Sequence, residues 1–248
     1  MFRKRVRLFT LHGFDVSLDP SWLLLALLVA WSLSTGFFPY RFEDISAGQA
    51  WLMGVVGTVG LFLSIIAHEL SHSLFARRTG ISMQGITLFL FGGAAEMGDE
   101  PARPRDEFLI AIVGPLASIA IGAAFFALNL VGAASGWPLA VNGVLEYLAS
   151  INVILALFNL IPAYPLDGGR VLRAALWAWK KDLLQATRIS SRVGWLFGAL
   201  LIGLGVLRVL GGALLGGFWL ALIGLFVQRA ATVSYRKLAT RGTASGPG

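Results

Sequence analysis

The chain has no cysteine among its 248 residues and only three histidines. The absence of cysteine excludes disulfides and thiolate ligands, so any metal site must use His, Asp or Glu. Charge is also scarce, since Asp, Glu, Lys and Arg make up 13% of the sequence, against about 25% in soluble domains. With 56% hydrophobic residues, this composition predicts an integral membrane protein that has the lipid bilayer as a partner.

Six apolar stretches are candidates for crossing a bilayer, which takes about 20 helical residues. They are Trp22–Phe38, Trp51–Ala76, Phe108–Val131, Gly143–Ile161, Val193–Leu207 and Leu214–Val227. The last two are short, and Gly211-Gly212 between them favours a helical hairpin over one kinked element. The first follows a basic segment, as a signal peptide does, but no small-residue cleavage site follows it, so we predict a retained span.

The basic residues indicate the orientation of these spans. If the N-terminus is cytoplasmic, all of the 20 lysines and arginines except Arg41 and Arg208 lie in cytoplasmic segments. The positive-inside rule therefore predicts that both termini are cytoplasmic. The net charge of +7 is then a consequence of topology, which argues against a nucleic-acid partner.

Two segments outside the spans have strand character. Val6–Asp19 partly alternates apolar and polar residues, which predicts a short strand at the membrane surface. Ile81–Met97 is rich in β-branched and aromatic residues and is broken by two glycines, which predicts a β-hairpin or re-entrant strand. We therefore predict an all-α polytopic membrane protein with six transmembrane helices and a small β-hairpin or sheet element between spans 2 and 3.

The second stretch contains the motif His68-Glu69-Leu70-Ser71-His72. Positions i and i+4 share one helix face, so both imidazoles can bind one metal ion, as in zinc hydrolases. Ionisable side chains at membrane depth are costly and are functional candidates for that reason. In this motif Glu69 acts as the general base that deprotonates the attacking water. The alternatives are histidines that bind nothing and a Glu69 held in a salt bridge, although no basic residue lies near it in sequence.

A catalytic zinc takes three protein ligands, so the two histidines need a third. The best candidate is Asp167, which follows two prolines that interrupt the fourth span and precedes Gly168-Gly169. Prolines and glycines together predict irregular backbone near the membrane surface. The second and fourth spans both run towards the cytoplasm, so His68 and Asp167 are expected in the cytoplasmic half of the bilayer. The alternative is an ordinary turn aspartate.

Asn152 and Asn159 lie seven residues apart and therefore on one face of the fourth helix. For Asn159, beside the proline break, we favour a hydrogen-bond donor to the scissile carbonyl or its oxyanion. For Asn152 we favour a hydrogen bond between helices.

The combination of motifs resembles one family closely, the site-2 proteases, which are zinc metalloproteases that cut substrates within the membrane. The match rests on HELSH in the second span, GPLAS at Gly114–Ser118 and NLIPAYPLDGGR at Asn159–Arg170. This resemblance implies one Zn²⁺ per chain with His68, His72 and Asp167 as ligands. It also implies Glu69 as the base and Asn159 as a polar residue of the active site.

The FGGAAEM segment also resembles the strand that lies next to the active site in this family. The resemblance implies that the strand around Leu88–Ala95 pairs with an unwound substrate segment, which makes Phe91, Gly92, Gly93 and Ala94 candidate substrate-binding residues. The implied substrate is a single-span transmembrane protein, such as an anti-sigma factor or a membrane-tethered regulator. The implied location is a prokaryotic cell membrane.

The sequence resembles a compact form of the family without PDZ or CBS domains. We expect one transmembrane metalloprotease domain over residues 1–238 and a disordered tail over 239–248, which is small and polar. A membrane metal transporter is the first alternative, but it predicts further His or acidic residues along the spans, and Glu146 is the exception. A catalytically inactive, partner-binding relative is the second, but it predicts loss of Glu69 or a ligand, and all are present.

Overall fold

The computed structural model of the protein describes residues 6–11, 13–81, 83–89, 92–97 and 100–244. The chain divides into two compact units, one of residues 1–100 with 113–158 and the other of residues 101–112 with 159–248. The expected single domain over 1–238 stays a prediction.

Six helices in this described part of the chain are long and apolar enough to cross a membrane: Ser21–Arg41, Ala47–Arg78, Pro104–Ala134, Leu139–Asn159, Leu183–Leu210 and Leu214–Thr240. They contain five of the six predicted apolar stretches, whereas the fourth helix ends at Asn159, two residues before the predicted end at Ile161. Large apolar side chains on these helices, such as Leu27, Leu63 and Leu196, are exposed, as lipid contact requires. The protein is therefore an integral membrane protein with the predicted six-helix fold.

The first span in the first unit consists of three consecutive pieces. These are α1 (Ser21–Ser32), a π-helical turn (Leu33–Phe37) and α2 (Phe38–Arg41). The turn and α2 bury Leu33 and Phe38, whereas α1 buries none of its residues. The C-terminal half of this span is therefore the part that is packed into the unit.

Three long helices follow: α3 (Ala47–Arg78), α4 (Pro104–Ala134) and α5 (Leu139–Asn159). Ser46 and Gln49 start α3 with a capping box, in which each side chain bonds to the other residue's backbone N–H. A buried cluster joins the first span to α3 and α5 through Leu33, Phe38, Met53, Val144, Tyr147 and Leu148. Gly57 favours close packing here, because a Cβ there would lie 3.2 Å from the ring of Tyr147, which is a tight contact.

The first unit also contains a four-stranded sheet in the order β1 (Val6–Leu11), β2 (Phe14–Leu18), β3 (Met83–Phe89), β4 (Gly92–Met97). The β1–β2 and β3–β4 pairs are antiparallel, and β2 pairs with β3 in parallel. The predicted hairpin between spans 2 and 3 is thus confirmed. The single strand predicted over Val6–Asp19 is instead two strands, because Gly13 adopts a positive φ of 86° that reverses the chain.

The second unit contains α6 (Asp167–Lys180), α7 (Leu183–Leu210) and α8 (Leu214–Ala244). The last two form the predicted hairpin, with Gly212 in the turn at φ 89°. Their backbones approach closely at glycines: a Cβ on Gly198 would lie 2.6 Å from the carbonyl oxygen of Gly224. Small residues at a helix interface permit such an approach in membranes.

Two features of this unit differ from the sequence-based expectations. The helix α6 was not predicted, because its hydrophobic residues are interrupted by basic ones and it is too short to span a bilayer. Helix α8 continues to Ala244, so residues 239–244 of the expected disordered tail are helical. Arg236 and Lys237 are exposed, and both residue types are good helix formers, so the basic character of this region is compatible with a helix.

Candidate metal centre

Helix α3 places His68 and His72 on one face, as their spacing predicted. Both are 3% exposed, and their Nε2 atoms lie 3.2 Å apart. The rings meet edge to face, with centroids 4.8 Å apart. His68 is held from its other side, because its Nδ1 lies 2.9 Å from the hydroxyl of Ser118 in α4. The Nε2 atoms of the two imidazoles therefore lie next to each other on one face of the apolar helix α3.

Asp167 is the first residue of α6, and its side chain is buried. The interpretation of its position as irregular backbone was therefore wrong, because Leu166 is extended and serves as the N-cap from which the helix starts. Gly168 and Gly169 are required here: a Cβ on Gly169 would overlap the backbone of Ala163 and Tyr164. The loop folds back over the start of α6, and a carboxylate at a helix N-terminus is favoured by the helix dipole.

His68, His72 and Asp167 are each buried. This donor set fits zinc, for which two imidazole nitrogens and one carboxylate oxygen are a known catalytic set. A zinc ligand lies about 2.0–2.2 Å from the ion, so two ligands of one ion lie at most about 4 Å apart. The separation of 3.2 Å between the two Nε2 atoms meets this limit.

Glu69 and Asn159, the predicted base and the predicted active-site amide, are both in helices. Glu69 follows His68 in α3 and is half-buried. Asn159 is the last residue of α5 and is also half-buried. Asn152 forms the expected bond between helices: its Nδ2 donates to Ser64 Oγ on α3 at 3.0 Å.

The candidate substrate-binding residues fall on β4. Gly92, Gly93 and Ala94 pair with Phe89, Leu88 and Thr87 of β3. Phe91 lies outside the described residues. The strand β4 is the last in the sheet order, and both β3 and β4 contact α3. An edge strand thus lies against the helix that carries the two histidines.

A buried ion pair in the second unit holds the segment before Asp167. The guanidinium of Arg173 in α6 lies 2.5 Å from the carboxylate of Glu107 in the first turn of α4, and the side chains are 3% and 0% exposed. The same guanidinium lies over the ring of Tyr164, 5.1 Å from its centroid, and 3.4 Å from its hydroxyl. Removing one partner of a buried pair leaves an uncompensated charge, so the pair holds Arg173 in place. Because Arg173 also contacts Tyr164, it holds Tyr164 and its loop.

The sequence interpretation missed the roles of Ser118, Glu107 and Arg173. The charge pattern groups Arg173 with the cytoplasmic basic residues, and the sequence of the GPLAS motif indicates no role for an individual residue. The sequence does contain one indication of the ion pair. Glu107 lies at the start of an apolar helix, and a glutamate that is buried there needs a partner.

Comparisons with known proteins find similar chains. The model of Peptidase family M50 matches residues 56–135 and 130–201. The chain is 40% identical to Rip3 of Mycobacterium tuberculosis over 239 residues, which are 96% of this chain and 61% of that protein. It is 32% identical to zinc metalloprotease MJ0392 of Methanocaldococcus jannaschii over 228 residues, which are 90% of this chain and 58% of that protein.

A solved structure is also similar. The site-2 protease from Methanocaldococcus jannaschii is 30% identical and superposes with a TM-score of 0.63, covering 92% of this chain and 94% of that chain. The chain spans about three-fifths of the length of the curated relatives named above. The similarity includes both motifs that contain the candidate ligands, since the matched range 56–135 contains the histidines and 130–201 contains Asp167.

Proposed function

Because the chain belongs to peptidase family M50, the family of the site-2 proteases, we propose that it is a zinc endopeptidase that cleaves transmembrane segments of membrane proteins. The observation that carries the proposal is the buried pair of His68 and His72 in α3, whose Nε2 atoms lie 3.2 Å apart. Burying such groups in a membrane-spanning chain is costly. A hydrolytic metal site is a function that explains why these groups are buried despite the cost.

The two histidines are proposed to bind one Zn²⁺ per chain through Nε2, and Asp167 through a carboxylate oxygen. Three protein ligands leave a fourth position open, which distinguishes catalytic zinc sites from structural ones. Zinc in such a site acts as a Lewis acid that polarises a carbonyl and lowers the pKa of water towards 7.

Glu69 is proposed as the general base. Its half-buried carboxylate follows His68 in α3, so it adjoins the ligands without being one. The carboxylate accepts a proton from the water that attacks the scissile carbonyl carbon and returns it to the leaving nitrogen. The Asn159 side-chain amide is proposed to donate to the carbonyl oxygen and to stabilise the negative charge that develops there.

The substrate is proposed to bind by adding a strand to β4. A transmembrane helix must unwind locally before its peptide bond becomes accessible, and unwound backbone needs hydrogen-bond partners in a membrane. Backbone groups of Gly92, Gly93 and Ala94 on the last strand of the sheet offer such partners. The substrate class is a single-span transmembrane protein, for example an anti-sigma factor or a membrane-tethered regulator.

Cleavage within a membrane-spanning segment is the result expected from this proposal. Purified protein reconstituted in liposomes with zinc and a single-span substrate should yield two fragments. Mass spectrometry of the fragments should place the cut inside the apolar segment, and a zinc chelator should abolish it. A cut confined to the water-exposed flanks, or undiminished cleavage with the chelator, would refute the proposed function.

We also propose that both termini are cytoplasmic and that the metal centre lies in the cytoplasmic half of the bilayer. The chain has no cysteine, so single-cysteine variants have no background labelling. In intact cells a membrane-impermeant maleimide should label Ser135→Cys, between α4 and α5, and should leave Thr240→Cys unlabelled. Permeabilised cells should show labelling of both. The reverse pattern in intact cells would overturn the topology.

A further inference from the structure

Helix α4 presents two residues to the paired imidazoles of α3. Ser118 is 0% exposed, and its Oγ lies 2.9 Å from His68 Nδ1. Gly114 is four residues earlier and therefore on the same face of α4. A Cβ added to Gly114 would overlap the His72 ring at Nε2 and would lie 2.8 Å from His68 Nε2. The spacing of this pair matches that of the two histidines.

The hydroxyl of Ser118 contacts the ring nitrogen of His68 that does not face His72. A neutral imidazole has one N–H and one lone pair, and the partner of one nitrogen sets the tautomer. A serine oxygen can accept from Nδ1–H, and this leaves the lone pair on Nε2. Nε2 is the atom that faces His72, at 3.2 Å. The bond also fixes the rotation of the ring.

Gly114 has a complementary effect, which is steric. Any larger residue would put a methyl group among the ring atoms that carry the two Nε2 lone pairs. The rings are on α3 and are 3% exposed, so they have little room to turn away. The absence of a side chain at Gly114 therefore keeps the metal-facing edges of both rings accessible.

We propose that Gly114 and Ser118 are positioning residues for the metal centre, with Ser118 setting the tautomer and orientation of His68 and Gly114 leaving space for the ligand atoms. This inference rests on the proposed zinc site. A purely structural role for Ser118 would change the stability of the fold alone. A positioning role also changes the affinity for metal and the tautomer of His68.

The tautomer can be observed without metal. The chain has three histidines, so a long-range ¹H–¹⁵N spectrum of metal-free protein contains three imidazoles. The substitutions His12→Gln and His72→Gln assign them by elimination. His68 should show the Nδ1–H tautomer in the native chain and a mixture of tautomers in Ser118→Ala. An unchanged His68 spectrum in Ser118→Ala would overturn the role of Ser118.

Zinc affinity is the second readout. Loss of a hydrogen bond to a ligating histidine weakens metal binding about 10- to 100-fold, and this is the effect expected for Ser118→Ala. Ser118→Thr retains the hydroxyl and should restore most of the affinity. Gly114→Ala should weaken binding more than Ser118→Ala. If a folded Gly114→Ala variant bound zinc as tightly as the native chain, the role of Gly114 would be refuted.

The matched control is Ser190→Ala in α7. Ser190 is also 0% exposed, and its hydroxyl donates to the carbonyl of Thr187 at 3.2 Å. This variant should keep native zinc affinity, and melting of the metal-free proteins shows whether each variant folds. A native chain that binds no zinc would refute the proposed function itself. Native binding with equal binding by Ser118→Ala would refute the positioning role alone.

Discussion

Glu69→Gln should slow peptide cleavage by about 10²- to 10⁴-fold, the usual contribution of general acid–base catalysis. Glutamine has nearly the shape of glutamate but cannot accept the proton of the attacking water. Because Glu69 adjoins the proposed ligands without being one of them, zinc should remain bound at one ion per chain. Single-turnover cleavage of a single-span substrate in detergent, together with the zinc content of the same sample, measures both effects.

The control for this experiment is Glu43→Gln, which removes an exposed carboxylate in the segment before α3. It makes the same chemical change away from the metal centre and should cleave at the native rate. If Glu69→Gln matched the native rate, Glu69 would not be the base. If Glu69→Gln lost zinc as well as activity, its role would be in holding the metal site.

Asp167→Asn should weaken zinc binding by more than the 10- to 100-fold that follows from loss of an outer-shell partner. The substitution replaces a charged carboxylate oxygen with a neutral amide oxygen, which is a poorer ligand for zinc. The volume is nearly unchanged, so the packing of Gly168 and Gly169 against the preceding loop should persist. Competition with a chelator of known affinity measures the change.

Asp182→Asn is the matched control, since Asp182 also lies at the start of a helix. It caps α7 by accepting from the Gln185 N–H at 2.9 Å, and asparagine is as good a cap as aspartate. This variant should therefore keep both its stability and its zinc affinity. Undiminished zinc binding by a folded Asp167→Asn variant would show that the third ligand is another residue.

Local patterns were sufficient to predict the parts of the structure that depend on neighbouring residues. The apolar stretches predicted the six spanning helices, since length and composition alone determine whether a helix can cross a membrane. The i, i+4 spacing of the histidines placed both on one face of α3. Gly211-Gly212 predicted the turn between α7 and α8, whereas Gly92-Gly93, expected to break the segment 81–97, are the first two residues of β4.

Contacts between residues distant in sequence could not be predicted in this way. The parallel pairing of β2 with β3 joins Phe14–Leu18 to a strand that begins after the second span, and no local pattern specifies it. The same holds for Arg173 and Glu107, which lie 66 residues apart, and for Ser118 and His68, which lie 50 apart. The local sequence around each of these residues shows no distinctive pattern, because its role arises from the packing of helices.

The irregular backbone predicted at Asp167 shows where local rules mislead. Prolines and glycines usually mark loops, and Pro162 and Pro165 do end α5. The glycines after Asp167, however, lie in the first turn of α6, where the preceding loop packs too closely for a side chain. The need for glycine there comes from this close approach rather than from a turn.

The most direct test of the zinc site is X-ray absorption at the zinc edge on the purified native chain. We predict one zinc per chain with two imidazole nitrogens at about 2.0–2.1 Å and a carboxylate oxygen at about 2.0–2.2 Å. Because the chain has three histidines, His12→Gln should leave this spectrum unchanged, whereas His68→Gln should lose an imidazole. Absence of zinc, or a zinc with fewer than two imidazole ligands, would contradict the proposed site of His68, His72 and Asp167.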